Sequence, residues 1–360
     1  MREAPLRGES GAVTTAALLA SKNDSLWREF LYQQAPLIAG ILAAGYVAAI
    51  VQHGFVPGTD AAYPLGGVRV PVWHIVWMGM WTGYAMALVG QAAGILALPY
   101  STSVLQFSNA HVSPSTLVLT LFNPLGALLG FRRTGQWNLR FAAWLCAGGA
   151  VGGVIGPFMR ATLLSDAAAF RLVLGCALAF VGAQLCLKAL GRSRAVKAPG
   201  AASLRIQTLS ARGLHLTIGY LEQQWTLNQA VLFLVGAVVG VISAALGLGG
   251  AFLIVPFLVI VYRLPMHVIP AATIPYAIVL SAVGLLTYSI VLPLTGRAPI
   301  QPEWAWGFFA AAGGVFGAWA AAKTQRYLPE SVLDAMLGTI TAAAALAYIA
   351  SFFVELPFKV

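Results

Sequence analysis

The sequence predicts an all-α polytopic membrane helix bundle, made of two inverted five-segment repeats that contain short glycine- and proline-interrupted helices. Three observations carry that class. Of 360 residues, 59% are hydrophobic and 9% charged, too few ionisable groups to cover a soluble surface. The apolar residues fall in blocks of about 20, the length that spans a bilayer. The chain also repeats a pattern: Gly90, Pro99 and His111-Val112-Ser113-Pro114 return 156 or 157 positions later as Gly247, Pro256 and His267-Val268-Ile269-Pro270. Gly152-Gly153-Val154-Ile155-Gly156 returns, at an offset of 161, as Gly313-Gly314-Val315-Phe316-Gly317. Repeated halves in an apolar chain are a construction of secondary transporters, with the substrate held between the copies near the midplane.

Taken in order, residues 1–33 form a cytoplasmic N-terminal segment. Its apolar stretch 12–20 is too short to span, and 25–33 predicts an interfacial helix capped by Ser25, with Leu26, Trp27, Phe30 and Leu31 toward the headgroups. Residues 34–70 hold an extra first span and an outer loop, 71–190 the first repeat, 191–226 a basic cytoplasmic linker and 227–360 the second repeat. Apolar blocks run over 35–51, 72–90, 113–130, 140–159, 168–188, 227–246, 268–290, 304–322 and 332–353. Two shorter segments, 92–107 and 249–261, are entered through glycines and carry a proline. With the N-terminus inside and both short segments crossing, 16 of 21 Lys and Arg lie inside; with both folded back, 9 do. The positive-inside rule selects crossing. Each half then has five crossings, and an odd number inverts the second copy.

Composition excludes several functions. The net charge of +10 comes from Lys and Arg in the breaks between spans, where they set orientation and do not signal nucleic acid. Cys146, Cys176 and Cys186 lie in apolar blocks without metal-ligand spacing. There is no HExxH, no GxSxG and no pair of mid-span carboxylates, so no enzyme is predicted, and no Walker loop, so ATP does not drive the protein directly. No cofactor and no metal are implied. All eleven acidic residues fall in tails, loops or span ends, which disfavours a cation pump.

An anion must then be met by backbone, because no Lys or Arg lies at mid-span either. A helix that begins inside the membrane offers unpaired N–H groups and the positive end of its dipole. Gly247, Gly249 and Gly250 supply one such start, and Gln91, Ala93 and Gly94 the matching one. Ser101, Ser103 and Asn123 are candidate polar liners, and His111 and His267 candidate gating residues against the commoner outcome of solvated histidines near helix ends. Asn123 stands equally as a partner for kinked backbone. The glycines around Gly152 and Gly313 read as packing faces.

The stretch from Gly247-Leu248-Gly249-Gly250-Ala251 to Pro256 resembles the glycine-rich motif of the TauE/SafE sulfite-exporter family of membrane transporters, with Gly90 to Pro99 as a degenerate twin. The resemblance extends over about residues 73–353 and departs at Ala251 and at Ala92-Ala93, where the family tends to have glycine. It implies a multi-pass cell-membrane transporter of a small sulfur-containing anion such as sulfite, a sulfonate such as sulfoacetate, or thiosulfate. An inside-negative potential favours outward movement of a monoanion by about 2.3 kcal/mol per 100 mV, which points to export. An anion channel or a non-transporting assembly partner is the alternative. The partners are the anion and the lipid bilayer; no residue reports the oligomeric state.

Overall fold

The structure is a computed structural model that describes residues 28, 30–58, 61–88, 93–107, 109–133, 138–190, 206–220, 223–265, 268–297, 299–324 and 330–353. Gln91, His267, the head of the N-terminal segment and linker residues 191–205 lie outside the described residues. Helix α1 (Ala35–His53) is entered through a π-helical turn at Phe30–Gln34. There follow α2 (Val72–Leu88), α3 (Gly94–Pro99) with a π turn at Tyr100–Val104, α4 (Val112–Arg133), α5 (Leu139–Ala161) and α6 (Ala167–Leu190). The second half has α7 (Gln229–Leu246), α8 (Ala251–Tyr262), α9 (Pro270–Leu286) running on through Thr287–Val291, α10 (Trp304–Thr324) and α11 (Glu330–Phe353). Among the described residues, seven helices are long and apolar enough to cross a membrane.

Glycine sets how closely these helices pack, and the contacts give their directions. A Cβ on Gly313 of α10 would lie 1.9 Å from the Val76 carbonyl oxygen and 2.8 Å from the Met80 nitrogen, and one on Gly317 2.1 Å from the Met80 oxygen. Backbone therefore touches backbone, and α2 and α10 run the same way. Gly148 meets the Phe233 oxygen and Ala237 nitrogen, and Gly152 meets Gly240 and Val241, so α5 and α7 are parallel too. Gly307 against Ser115 and Val118, with Gly126 against Val315, aligns α4 with α10, and Gly149 against Tyr276, with Gly153 against Leu280, aligns α5 with α9. In contrast Thr120 bonds Ser281 while Leu117 meets Gly284, which makes α4 and α9 antiparallel. Helices α6 and α11 are antiparallel through Gly175 on Ile349, Gly182 on Ala342 and Gly338 on Cys186. Helices α2, α4 and α10 thus point one way, and α5, α7 and α9 the other. Since α2 and α4 share a direction, the chain between them must return across the bundle through α3, as it does through α8 between α7 and α9.

Two small antiparallel sheets correct the all-α expectation. Ala61–Tyr63 (β1) pairs with Val68–Val70 (β2) in the loop after α1. Gln207–Arg212 (β3), His215–Tyr220 (β4) and Gln223–Asn228 (β5) form a meander where a tether was expected. In β4 Leu216, Ile218 and Tyr220 alternate onto Phe141, Leu145 and Leu258, so the linker caps one end of the bundle with its own apolar face. The Phe30 ring packs on α10, 5.9 Å from Phe316 and 5.0 Å from Trp319.

At the opposite end of the bundle a buried histidine–carboxyl contact ties loop to helix. Glu303, a loop acid by sequence, is fully buried; its carboxylate takes the Leu65 N–H at 3.1 Å and meets His53 Nε2 at 2.5 Å. Its own N–H donates to Ser115 Oγ at 2.8 Å, joining α1, the β1–β2 hairpin, α4 and α10. Burial holds its carboxyl above the ordinary carboxylate range, against the lowering pull of His53 and the Leu65 and Gly66 N–H groups.

Two outcomes follow. Gly313→Val should cost about 1–3 kcal/mol by overpacking and lower Tm in detergent, whereas Gly40→Val, with nothing within 4 Å of a Cβ, should not. A raised carboxyl contributes stability that is full below its unfolded value, about 4, and lost as pH rises through the raised one. The pH dependence of Tm should show that decline in the parent and lose it in Glu303→Gln.

Candidate functional site

The two short helices begin in the middle of the bundle, where the start of α3 meets the turn that joins α7 to α8. Helix α7 stops because Gly247 turns left-handed at φ 83°, its N–H and that of Leu248 both reaching the Ser243 oxygen at 2.8 and 3.0 Å. Gly249 at φ 83° and Gly250 at φ 78° continue the reversal, a conformation costly to any residue with a Cβ, and α8 opens at Ala251. Neither the Gly249 nor the Gly250 N–H donates to a described residue. On the other side Ala93, fully buried, accepts from Leu96 and Ala97 and starts α3 at Gly94. A Cβ at Gly94 would sit 2.8 Å from the Gly247 oxygen, 3.0 Å from the Leu248 oxygen and 2.9 Å from the Thr120 methyl.

The pairing of Ala93 and Gly94 with the second glycine stretch is therefore present, with two corrections. The groups facing Gly94 are the Gly247 and Leu248 carbonyls, so that side of the junction is negative, and Gly250 abuts Tyr276 and Leu280 of α9, at 2.4 and 2.7 Å from a Cβ. The junction is closed, with backbone in contact and every residue from Ser243 to Gly250 buried. Its polar neighbours are buried as well: Thr120 bonds Ser281 at 2.9 Å, while Ser243 Oγ and Asn123 Oδ1 have no partner. Asn123 lies between Gly83 and Gly314 in the contact of α2, α4 and α10.

A cavity of about 240 Å3 opens beside this junction, lined by Thr102, Asn109, Ala110, Arg160, Ser165, Ala167, Phe170, Arg171 and Tyr348. Arg160 ends α5 and is 3% exposed; its Nε donates to Ser113 Oγ at 3.3 Å, an Nη donates to the Leu164 oxygen, and its Cζ stands 4.2 Å above the Phe170 ring. The Ser113 backbone in turn packs on Gly247, 2.5 Å from a Cβ there. Ser113 thus touches both a cavity-lining residue and the junction. By sequence Arg160 falls one residue past the apolar block 140–159, in a break between spans, and that position concealed its burial.

The remaining candidates divide. Thr102 lines the cavity and bonds Tyr348 Oη, and Ser103 Oγ bonds the same Oη at 2.7 Å, latching the π turn to α11. Ser101, expected beside them, instead donates to Met78 Sδ at 3.4 Å on α2. His111 Nδ1 meets the Gln301 oxygen at 2.8 Å in the loop layer, outside the cavity lining. Removing the latch with Tyr348→Phe should lower Tm by the loss of two hydroxyl contacts, about 1 kcal/mol each, while Ser351→Ala, whose hydroxyl bonds only the Tyr348 oxygen on the same helix, should leave Tm close to the parent's.

A family model described as Sulfite exporter TauE/SafE matches residues 75–348. No curated protein and no solved structure matches the chain.

Proposed function

The chain belongs to the TauE/SafE sulfite-exporter family, and from that premise we propose that it is a secondary transporter that exports a small sulfur-containing anion, held between two inverted repeats by helix N-termini and polar side chains. Membership makes it a multi-pass membrane transporter and not an enzyme, and it implies a sulfur-anion substrate. The inverted repeat is supported by direction: α2, α4 and α5 each oppose their counterparts α7, α9 and α10. It is supported too by register. Gly148 meets Phe233 and Ala237 as Gly313 meets Val76 and Met80, each partner shifted by 157. The contacts thus pair Gly148 with Gly313, an offset of 165, where the sequence alignment of the glycine clusters gave 161.

The observation that carries the binding mode is the meeting of two half-helices at mid-bundle, with the Gly249 and Gly250 N–H groups undonated. Backbone N–H groups in a dry interior are strong oxyanion ligands, and they gain from an anion what water cannot give them there. Because the junction is closed in this conformation, binding requires α3 and α8 to part. The unpartnered Asn123 Oδ1 and Ser243 Oγ mark polar groups available to a pathway that opens.

The purified protein in liposomes should carry sulfite or 2-hydroxyethanesulfonate with a rate that saturates. A conductance without saturation would favour a channel, and no flux an assembly partner. Gly249→Ala, strained by about 1–2 kcal/mol at positive φ, should fold yet lose at least about tenfold in apparent affinity, about 1.4 kcal/mol. Unchanged transport would place the anion elsewhere. With Cys146, Cys176 and Cys186 replaced, single cysteines at Ala211 and Gly296 should label from opposite sides of the membrane.

A further inference from the structure

We infer that the Arg160–Arg171 cavity is a second anion site, a vestibule that takes the oxyanion head of a small organic sulfonate before it reaches the helix junction. The proposal rests on the transport reading for the identity of the anion, and on the geometry of the cavity for the site itself.

Arg160 is a buried cation with no carboxylate partner among the described residues. Its contacts are a hydroxyl, a carbonyl oxygen and the face of Phe170. None of these carries a formal negative charge, so the desolvation of the guanidinium is only partly offset. Arg171 lines the same cavity from α6. The neighbouring acid, Asp166, is exposed; its carboxylate takes the Ala169 N–H at the start of α6 and is not part of the lining. Two arginines therefore line one partly open space with no carboxylate in its lining, an arrangement suited to a planar set of oxyanion oxygens.

The rest of the wall specifies more than charge. Thr102, Ser165 and Tyr348 bring hydroxyls, and Phe170 a flat apolar surface. The cavity of about 240 Å3 equals about eight waters at roughly 30 Å3 each, more than a bare three-oxygen anion fills. A short carbon chain on the anion would occupy the remainder against Phe170. The hydrogen bond from Arg160 to Ser113, whose backbone packs on Gly247, then hands the head to the junction.

The test is titration of the full-length protein, in uncharged detergent free of anionic lipid, with 2-hydroxyethanesulfonate, sulfite and chloride. Arg171→Gln is the first variant, because Arg160 also holds the Leu164 carbonyl and its loss endangers the fold; Arg160→Lys, which keeps the charge and removes the fork, is the second. The parent should bind 2-hydroxyethanesulfonate more tightly than sulfite and chloride weakly, and both variants should lose at least about tenfold in affinity with Tm in the absence of ligand unchanged for Arg171→Gln. A parent that transports saturably while Arg171→Gln and Arg160→Lys bind and transport as it does would overturn the vestibule and leave the transport reading standing. A parent that neither binds nor moves any sulfur anion would overturn both the vestibule and the transport reading. Displacement of the sulfonate by an anionic phospholipid at equal concentration would assign the cavity to lipid and overturn the proposal.

Discussion

The constraint on which this structure depends is that a helix broken inside a bilayer must hide its backbone from lipid. Unpaired N–H and C=O groups are tolerated at that depth only where protein covers them. Here the cover is backbone itself. Gly94 lets α3 approach the Gly247 and Leu248 carbonyls, Gly247 lets the break approach the start of α4, and the glycine rows of α2, α5, α7 and α10 draw the surrounding helices in until main chain touches main chain. Side chains larger than hydrogen at these points would hold the helices apart and open the breaks to lipid. The same closeness leaves little room at the centre, which is why the open space lies beside the junction and not within it.

Much of this was legible in the chain. Each of the nine apolar blocks holds one long helix among the described residues, and the short segments 92–107 and 249–261 hold the two short ones. The glycines of the second break are required because Gly247, Gly249 and Gly250 take positive φ, whereas Ala93, at the position matching Gly250, is right-handed at φ −57°. What escaped was set by packing. The β3–β5 meander has a period-two pattern in His215–Tyr220, but it is short and follows a linker rich in basic and small residues. Arg160 turns onto Phe170, which follows it in the next helix, and onto Ser113, 47 residues before it. The burial of Glu303 depends on His53 and Leu65, some 240 to 250 residues away.

The glycine clusters illustrate how sequence and contact can disagree over register. Matching letters pairs Gly152 with Gly313, because both open a Gly-Gly-Val motif. Matching partners pairs Gly148 with Gly313, because both rest on the same turn of equivalent helices. The difference is about one helical turn, the step that keeps a residue on the same face, so either pairing preserves the packing stripe. A helix with glycine at Gly148, Gly149, Gly152, Gly153 and Gly156 is self-similar under that step, and its letters alone cannot fix the register.

The polar run Ser101-Thr102-Ser103 corresponds, by the spacing from Pro99 and Pro256, to Leu258-Val259-Ile260 in the second half. The cavity wall thus carries the Thr102 and Tyr348 hydroxyls and two arginines, whereas residues 258–260, at the positions that match by spacing, are aliphatic. For a carrier driven only by its substrate's gradient, the free-energy changes around the transport cycle must close, as they do for any pair of linked equilibria. A tighter hold at the polar wall is then matched by slower departure from it. Flow in the two directions would half-saturate at different concentrations and still come to rest at the same electrochemical balance.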